Sequence, residues 1–292
     1  MISEDHKMQN IHAGIGPHSS MYPCTECTAD KNNLHEEGTP RTILSLVQNY
    51  EKLNSSAKIK PKDCFSVTHP QLLTNQPEIN AAKKVSEFFF PSELHLLLAI
   101  NHPLKFMKDF YSDNQWYFGW YFSALGPSGV RPYHGGTLEG PQCNALLNNV
   151  DYLRYLANKT PDPLALLFVD FFQQFKNIKD SCFGKTLDPS YKIHFENFQK
   201  AVENLSEATE YCPPFRISHK LPHTLNWLNN NQIPLGLVSE QGAERLHPIW
   251  RRFFSNFPTK DSKSPSFVIK YELSFNRYNS LILWQAKKKF LK

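Results

Sequence analysis

Residues 163–177 read Pro-Leu-Ala-Leu-Leu-Phe-Val-Asp-Phe-Phe-Gln-Gln-Phe-Lys-Asn, and this stretch decides the class of fold. Its apolar side chains recur at intervals of three and four residues, the spacing that lines one face of an α-helix. They belong to Leu164, Leu166, Leu167, Phe168, Phe171, Phe172 and Phe175. The same spacing predicts helices over residues 41–54 and 191–206, and further helices open near Pro91 and Pro141. Strand signals are scarce, so the chain is predicted to be mainly α.

The composition is that of a folded protein. The chain has 292 residues, of which 40% are hydrophobic and 13% aromatic. These fractions exclude a disordered chain and suit either one large domain or two ordinary ones. The net charge of +5 is compatible with a polyanionic partner, but many proteins with such a charge never meet one.

Cysteine usage and the amino end bear on the cellular compartment. Six cysteines are too few for a secreted disulfide scaffold in a chain of this length, which favours a reducing compartment. The first residues lack the basic flank and apolar core of a secretory signal, and no apolar run reaches membrane-spanning length. The sequence therefore predicts an intracellular protein, in the nucleus or the cytoplasm, with no membrane partner.

The first motif with chemical content is Cys24-Thr25-Glu26-Cys27. Glycines and prolines surround it, which places the two cysteines on a turn-like knuckle. Such a knuckle offers two thiolates to zinc without backbone strain. A redox motif and chance spacing are the alternatives, and no βαβ pattern around the motif favours the redox reading.

The second motif is His219-Lys220-Leu221-Pro222-His223. On a helix, side chains four positions apart project from one face, which is how helical zinc ligands are arranged. Pro222 biases the residue before it away from helical geometry, so the pair is predicted in the first turn of a helix, capped by Ser218. The alternative is that both are ordinary surface histidines.

A glutamate and two arginines follow the histidines. Glu240 could be a catalytic carboxylate, or it could simply place an acidic charge at the positive end of a helix capped by Ser239. Arg251 and Arg252 are flanked by aromatic residues and could hold a DNA phosphate backbone. They are equally explicable as part of a solvated face.

Residues 20–30 and 219–254 resemble the zinc-braced DDE transposases, the group that includes Transib transposases and the catalytic subunit of the V(D)J recombinase. Residues 94–110 and 132–147 resemble the helical insertion that these enzymes carry between their second and third catalytic carboxylates. Residues 182–189 resemble an element of transposon-derived relatives. The resemblance covers most of the chain.

This resemblance implies an RNase H-like fold in which three carboxylates hold two Mg²⁺ or Mn²⁺ ions for cleavage and transfer of DNA strands. It also implies double-stranded DNA as substrate and a homodimer as the working form. By motif, Asp5 is the second carboxylate and Glu240 the third, while a structural zinc ion is held by Cys24, Cys27, His219 and His223. The family more often has four residues between the histidines, whereas three stand here.

Only four residues precede Asp5, so the carboxylate expected before it has no counterpart. We therefore expect the C-terminal part of an RNase H-like core, without its first strands, together with the helical zinc-binding insertion. The expected divisions are 1–40 for the end of the core and the knuckle, 41–215 for the insertion, and 216–292 for the histidine pair, Glu240 and the C-terminal segment.

Such a transposase-derived chain would grip DNA without cutting it. Two other readings remain open from the sequence. One is a domesticated, zinc-stabilised module that binds protein or DNA and has no enzyme activity. The other is a complete helical protein without metal.

Overall fold

The computed structural model describes residues 6–17, 19–33, 38–111, 138, 140–159 and 162–238, and over these ranges the prediction of a mainly helical protein is confirmed. The α-helices are α1 (His6–Ala13), α2 (Ile43–Ser55), α3 (Glu93–Leu98), α4 (Asn101–Phe110), α5 (Gly140–Asn148), α6 (Val150–Ala157), α7 (Leu164–Cys182), α8 (Tyr191–Thr209) and α9 (Leu221–Asn231). Short 3₁₀ turns cover Pro61–Cys64, Val85–Glu87 and Leu235–Leu237. Extended pairing within the described ranges consists of isolated bridges. None of the described helices is both long and apolar enough to cross a membrane.

The helices α7 and α8 form the centre of the larger core. Phe171 and Phe175 of α7 pack against Phe198 of α8, with ring centroids 5.0 and 5.4 Å apart. Phe171, in the first half of α7, also contacts Tyr211, which lies just beyond the end of α8, whereas Phe175, one turn later, contacts Phe198 in the middle of α8, so the two helices run antiparallel. Burial of each phenylalanine contributes roughly 1.5–3 kcal/mol to stability. The packing of α7 against α8 is therefore a main source of stability for the larger core.

The helix predicted to open near residue 91 is two helices, α3 and α4. Pro103 in the first turn of α4 has no amide hydrogen, and its ring opposes the carbonyl of Ala99, so a single continuous helix is disfavoured. The side chain of Asn101 occupies the break. Its Nδ2 donates to the carbonyls of Leu98 and Leu138 at 3.0 Å, and its Oδ1 accepts from the amide of Leu138 at 2.6 Å.

A smaller core joins the amino-terminal residues to α2. It contains Ala13, Ile15, Leu46, Val67, Val85 and Phe89. The start of α2 is fixed by a capping box, in which the Ser45 amide donates to Thr42 Oγ1 at 3.1 Å and the Thr42 amide donates to Ser45 Oγ at 2.9 Å. This core therefore includes residues from both sides of the division predicted at residue 40; the division itself stays a prediction.

Candidate metal centre

The four predicted zinc ligands lie together. The Sγ atoms of Cys24 and Cys27 and one ring nitrogen each of His219 and His223 all fall within 4.8 Å of one another. Nε2 of His219 is 3.0 Å from Sγ of Cys27 and 3.2 Å from Nε2 of His223. Nε2 of His223 is 3.6 Å from Sγ of Cys24. Two segments almost two hundred positions apart in sequence thus supply one cluster of two thiols and two imidazoles.

The size of this cluster fits a tetrahedral zinc ion. With Zn–S bonds of about 2.3 Å and Zn–N bonds of about 2.0–2.1 Å, ligand atoms of a tetrahedron lie about 3.3 Å apart for N···N and about 3.6 Å apart for N···S. The separations of 3.2 Å between the histidines and 3.6 Å between Cys24 and His223 match these values. The pair Cys27 and His219, at 3.0 Å, must separate slightly. Four protein ligands leave no open position, which is the pattern of a structural site.

Backbone pairing shapes the cysteine knuckle. Cys27 forms an isolated antiparallel bridge with Pro40, and the Thr28 amide donates to the Thr39 carbonyl at 3.0 Å. Inside the turn, the Glu26 amide points at Sγ of Cys24, 3.4 Å away. An amide aimed at the sulfur stabilises a thiolate, so the turn conformation itself prepares Cys24 to bind a cation.

A buried arginine donates hydrogen bonds to the backbone of the same knuckle. The Arg41 side chain is 1% exposed, and its Nε donates to the carbonyls of Cys24 and Cys27, both at 2.9 Å. Its Nη2 donates to the carbonyls of Tyr22 at 3.2 Å and Phe65 at 2.9 Å. Burial lowers the pKa of the guanidinium to about 10, against the opposing charges of the two cysteines, so Arg41 remains a cation at neutral pH. The sequence pattern had placed Arg41 only at the start of a helix.

A buried asparagine ties the knuckle to the end of α1. Oδ1 of Asn10 accepts from Oγ1 of Thr25 at 2.5 Å. Nδ2 of Asn10 donates to the carbonyls of Gly16 at 3.1 Å and Pro23 at 3.2 Å. Like Arg41, this residue satisfies backbone carbonyls that burial would otherwise leave unpaired. Nothing in the spacing of the sequence marks it.

The histidine pair spans a junction between two kinds of helix. Residues Arg216–Lys220 form a π turn, and α9 follows it with Pro222 near its start. A continuous α-helix would press the ring of Pro222 against the carbonyl of Ser218, and the wider π turn relieves this contact. The expectation that Ser218 caps the helix is wrong, because Ser218 lies inside the π turn and its hydroxyl donates to the Pro214 carbonyl at 3.3 Å. Leu221 is helical, with φ −64° and ψ −45°.

Packing orients the two imidazoles. The ring of His219 stacks on Phe215, with centroids 5.3 Å apart and planes at 25°. The rings of His219 and His223 meet edge to face, with centroids 4.8 Å apart and planes at 82°. The three-residue spacing, which departs from the more usual spacing of the resembled family, therefore still directs both Nε2 atoms to one point.

An ion pair lies beside the cluster. Nζ of Lys220 is 2.8 Å from Oε1 of Glu26, and both side chains are largely buried. Oε2 of Glu26 is 3.9 Å from Nδ1 of His223, a separation that allows electrostatic attraction but is too long for a hydrogen bond. Burial alone would lower the pKa of Lys220, but the charges of Cys24 and Glu26 raise it, so the ammonium stays protonated. Glu26 thus joins the knuckle to the histidine segment outside the ligand shell.

The charge of the cluster favours a cation. Burial alone would raise the pKa of the Cys24 thiol, but hydrogen bonding to Cys27, the ammonium of Lys220 and both histidines hold it well below its ordinary value. The pKa of Cys27 is raised, first by its hydrogen bond to Cys24 and then by burial. Two neighbouring thiols therefore share a proton, and a divalent metal ion that replaces it neutralises both sulfurs.

Replacement of Glu26 by glutamine is expected to lower zinc affinity by up to about tenfold, the low end of the effect of losing an outer partner of a metal-bound histidine, because Glu26 attracts His223 without a hydrogen bond. The amide removes the negative charge that faces His223 and leaves Lys220 without its counter-ion. Competition against a chromophoric chelator measures the change. The matched control is Glu51→Gln on the exposed side of α2, which should bind zinc like the wild type. Equal affinity in Glu26→Gln would remove Glu26 from the site.

The remaining predicted site residues are Asp5, Glu240, Arg251 and Arg252, and they lie outside the described residues. Their assignment as carboxylates of a two-metal site and as phosphate contacts therefore stays a prediction. No protein-family model matches this chain, and no curated protein matches it.

Proposed function

We propose that this chain is a zinc-braced protein related to the DDE transposases, in which one structural zinc ion closes a helical insertion and the protein binds double-stranded DNA. One observation carries this function. The two cysteines and the two histidines belong to motifs that are almost two hundred positions apart in sequence, and their ligand atoms nevertheless lie within 4.8 Å of one another. Such a long insertion between paired ligands is what the resemblance implies.

The zinc ion would be structural. Cys24, Cys27, His219 and His223 would hold it, and its charge would join two thiolates that otherwise compete for one proton. Because the ligands already converge, binding needs little rearrangement of the backbone. The helices between residues 27 and 219 would then form a closed loop whose ends are fixed by the metal.

The proposal also takes the flanking segments as parts of an RNase H-like core. In that arrangement Asp5 and Glu240 would approach Mg²⁺ or Mn²⁺ ions, and Arg251 and Arg252 would contact phosphates. Support for these roles comes from the sequence motifs quoted above. Incubation with duplex DNA and either metal ion, compared between the wild type and Glu240→Gln, tests strand cleavage directly, and we expect DNA binding without cleavage in both.

Elemental analysis of the purified chain tests the zinc site. We expect one zinc ion per chain in the wild type and none in the double variant His219→Ala with His223→Ala, because two of the four ligands are lost. The matched control is His69→Ala with His194→Ala, two half-buried histidines outside the cluster, and it should keep its zinc. A wild type without zinc, or a double variant that retains it, would show that these four residues do not form a zinc site.

The salt dependence of DNA binding tests the second part of the proposal, that the protein binds duplex DNA. Contacts to phosphates release counterions, so log K against log salt should fall steeply, by about 0.9 per phosphate contact on duplex DNA. A zinc-containing protein with no affinity for DNA would contradict DNA binding and favour the alternative of a zinc-stabilised module whose partner is a protein.

A further inference from the structure

A turn rich in exposed lysines follows α2. Lys58, Lys60 and Lys62 occur within five positions, and all three side chains are exposed. From residue 51 to residue 63 the chain carries four lysines against two acidic residues. Among the residues that the structure describes, none of these lysines makes an ion pair with a carboxylate. Their charges therefore face solvent together. We call Lys58, Lys60 and Lys62 the lysine turn.

Backbone hydrogen bonds give the lysine turn a fixed shape. The Lys60 amide donates to Oδ2 of Asp63 at 3.0 Å, and the Asp63 amide donates back to the Lys60 carbonyl at 2.9 Å. The Ser66 amide then donates to the Pro61 carbonyl at 2.8 Å. The carboxylate of Asp63 is thus engaged with the backbone of the turn. Asp63 is exposed like the three lysines, and its carboxylate is the one acidic group within residues 58–63.

An exposed aromatic ring stands at the end of the turn. Phe65 is 40% exposed, and its ring meets Tyr22 edge to face with centroids 5.2 Å apart. Phe65 and Ser66 have positive φ angles of 49° and 64°, a conformation that is unfavourable for a residue with a side chain. The buried Arg41 stabilises this geometry, because its Nη2 donates to the Phe65 carbonyl at 2.9 Å.

The ordinary interpretation of exposed lysines is a solvated surface. It accounts for Lys52, whose Nζ donates to the Asp63 carbonyl at 2.8 Å at the end of α2. It does not account for Phe65, a large apolar residue that stays 40% exposed three positions after Lys62. Several cations followed by an exposed apolar ring are, in contrast, what a DNA surface uses, since ammonium groups contact phosphates and apolar groups contact the sugars and base edges that line the grooves.

We infer that the lysine turn and Phe65 contact the phosphate backbone of bound duplex DNA, with the ring of Phe65 against the sugar edge. This inference rests on the proposed function, because it names the surface through which the proposed DNA binding occurs. The same guanidinium of Arg41 holds the carbonyls of Cys24, Cys27 and Phe65, so the knuckle and this surface share one support.

The test compares two triple variants that change the net charge equally. In the first, Lys58, Lys60 and Lys62 become glutamine. In the second, the change is made at Lys185, Lys192 and Lys200, which are exposed on and before α8. Affinity for a mixed-sequence DNA duplex is measured between about 50 and 200 mM salt. The first variant should lose at least about tenfold in affinity, and its slope of log K against log salt should be shallower by about 2.7. The second should resemble the wild type.

Equal behaviour of the two triple variants would overturn the inference, since net charge alone would then govern binding. A wild type that binds no duplex DNA would overturn the proposed function, and the inference would fall with it. Wild-type binding that the lysine-turn variant leaves intact would overturn the inference alone. Circular dichroism and zinc content confirm folding of each variant. Should the triple variant misfold, Lys58→Gln, which lies before the hydrogen-bonded turn, should still reduce the slope by about 0.9.

Discussion

Replacement of Cys24 by serine is expected to remove the zinc ion and to destabilise the protein by about 5 kcal/mol, or roughly 10–20 °C in Tm. A serine hydroxyl does not ionise at neutral pH and is a poor zinc ligand. Cys24 is fully buried, so water cannot fill the vacated coordination position easily. The measurements are thermal unfolding by circular dichroism and elemental analysis on the same sample.

Two control variants separate the metal from the thiol. Cys143→Ser places the same hydroxyl in a fully buried position of the larger core, and Cys212→Ser places it on the surface. Both should keep one zinc ion, and Cys143→Ser should lose only the roughly 1–3 kcal/mol expected for a buried hydroxyl. A chelator should lower the Tm of the wild type and of Cys212→Ser to about that of Cys24→Ser, and it should lower the Tm of Cys143→Ser by the same amount from its own starting value. If it leaves the wild type unchanged, zinc does not stabilise this fold.

Replacement of Arg41 by methionine is expected to destabilise the protein by about 4 kcal/mol or more, since each buried carbonyl left without a donor costs about 1–3 kcal/mol. The variant keeps the length and the apolar stem of the side chain. It removes every hydrogen bond that the guanidinium makes to the carbonyls of Tyr22, Cys24, Cys27 and Phe65. Denaturant unfolding measures the loss, and zinc affinity should fall as the knuckle loosens.

The control for Arg41→Met is Arg154→Met on α6, a half-buried arginine for which less than about 1 kcal/mol is expected. Arg41→Lys provides a second comparison. It keeps the positive charge but cannot reach both sides of the knuckle with one planar group, so it should recover only part of the stability. Stability equal to wild type in Arg41→Met would mean that other groups or water satisfy these carbonyls.

Helical periodicity predicted most of the described fold because these helices are amphipathic. The stretch from Leu164 to Phe175 lies within α7, and residues 191–206 lie within α8, which ends at Thr209. Apolar residues at three- and four-residue intervals can reach a common core only from a helix. The same spacing is seen in α9, where Leu221, Thr224, Trp227 and Leu228 are buried.

The parts that sequence reasoning missed depend on contacts between distant residues. Arg41 and Asn10 hold the knuckle through backbone carbonyls, and any arginine or asparagine in a loop has the same local appearance. The π turn before α9 arises because Pro222 opposes the carbonyl of Ser218, a steric conflict that leaves several local solutions open. Spacing gave the four ligand candidates, whereas the residues that position them required the folded chain.

The distance in sequence between the two halves of the cluster also has a consequence for biosynthesis. Cys24 and His223 are 199 positions apart, and Cys27 and His219 are 192 apart. At about 5–20 residues per second, a ribosome takes about 10–40 s to travel from the cysteines to the histidines. Throughout that interval the nascent knuckle carries two thiols without their imidazole partners, open to oxidation and to other metal ions. Correct loading of the proposed zinc site would therefore depend on protection of the two cysteines during translation.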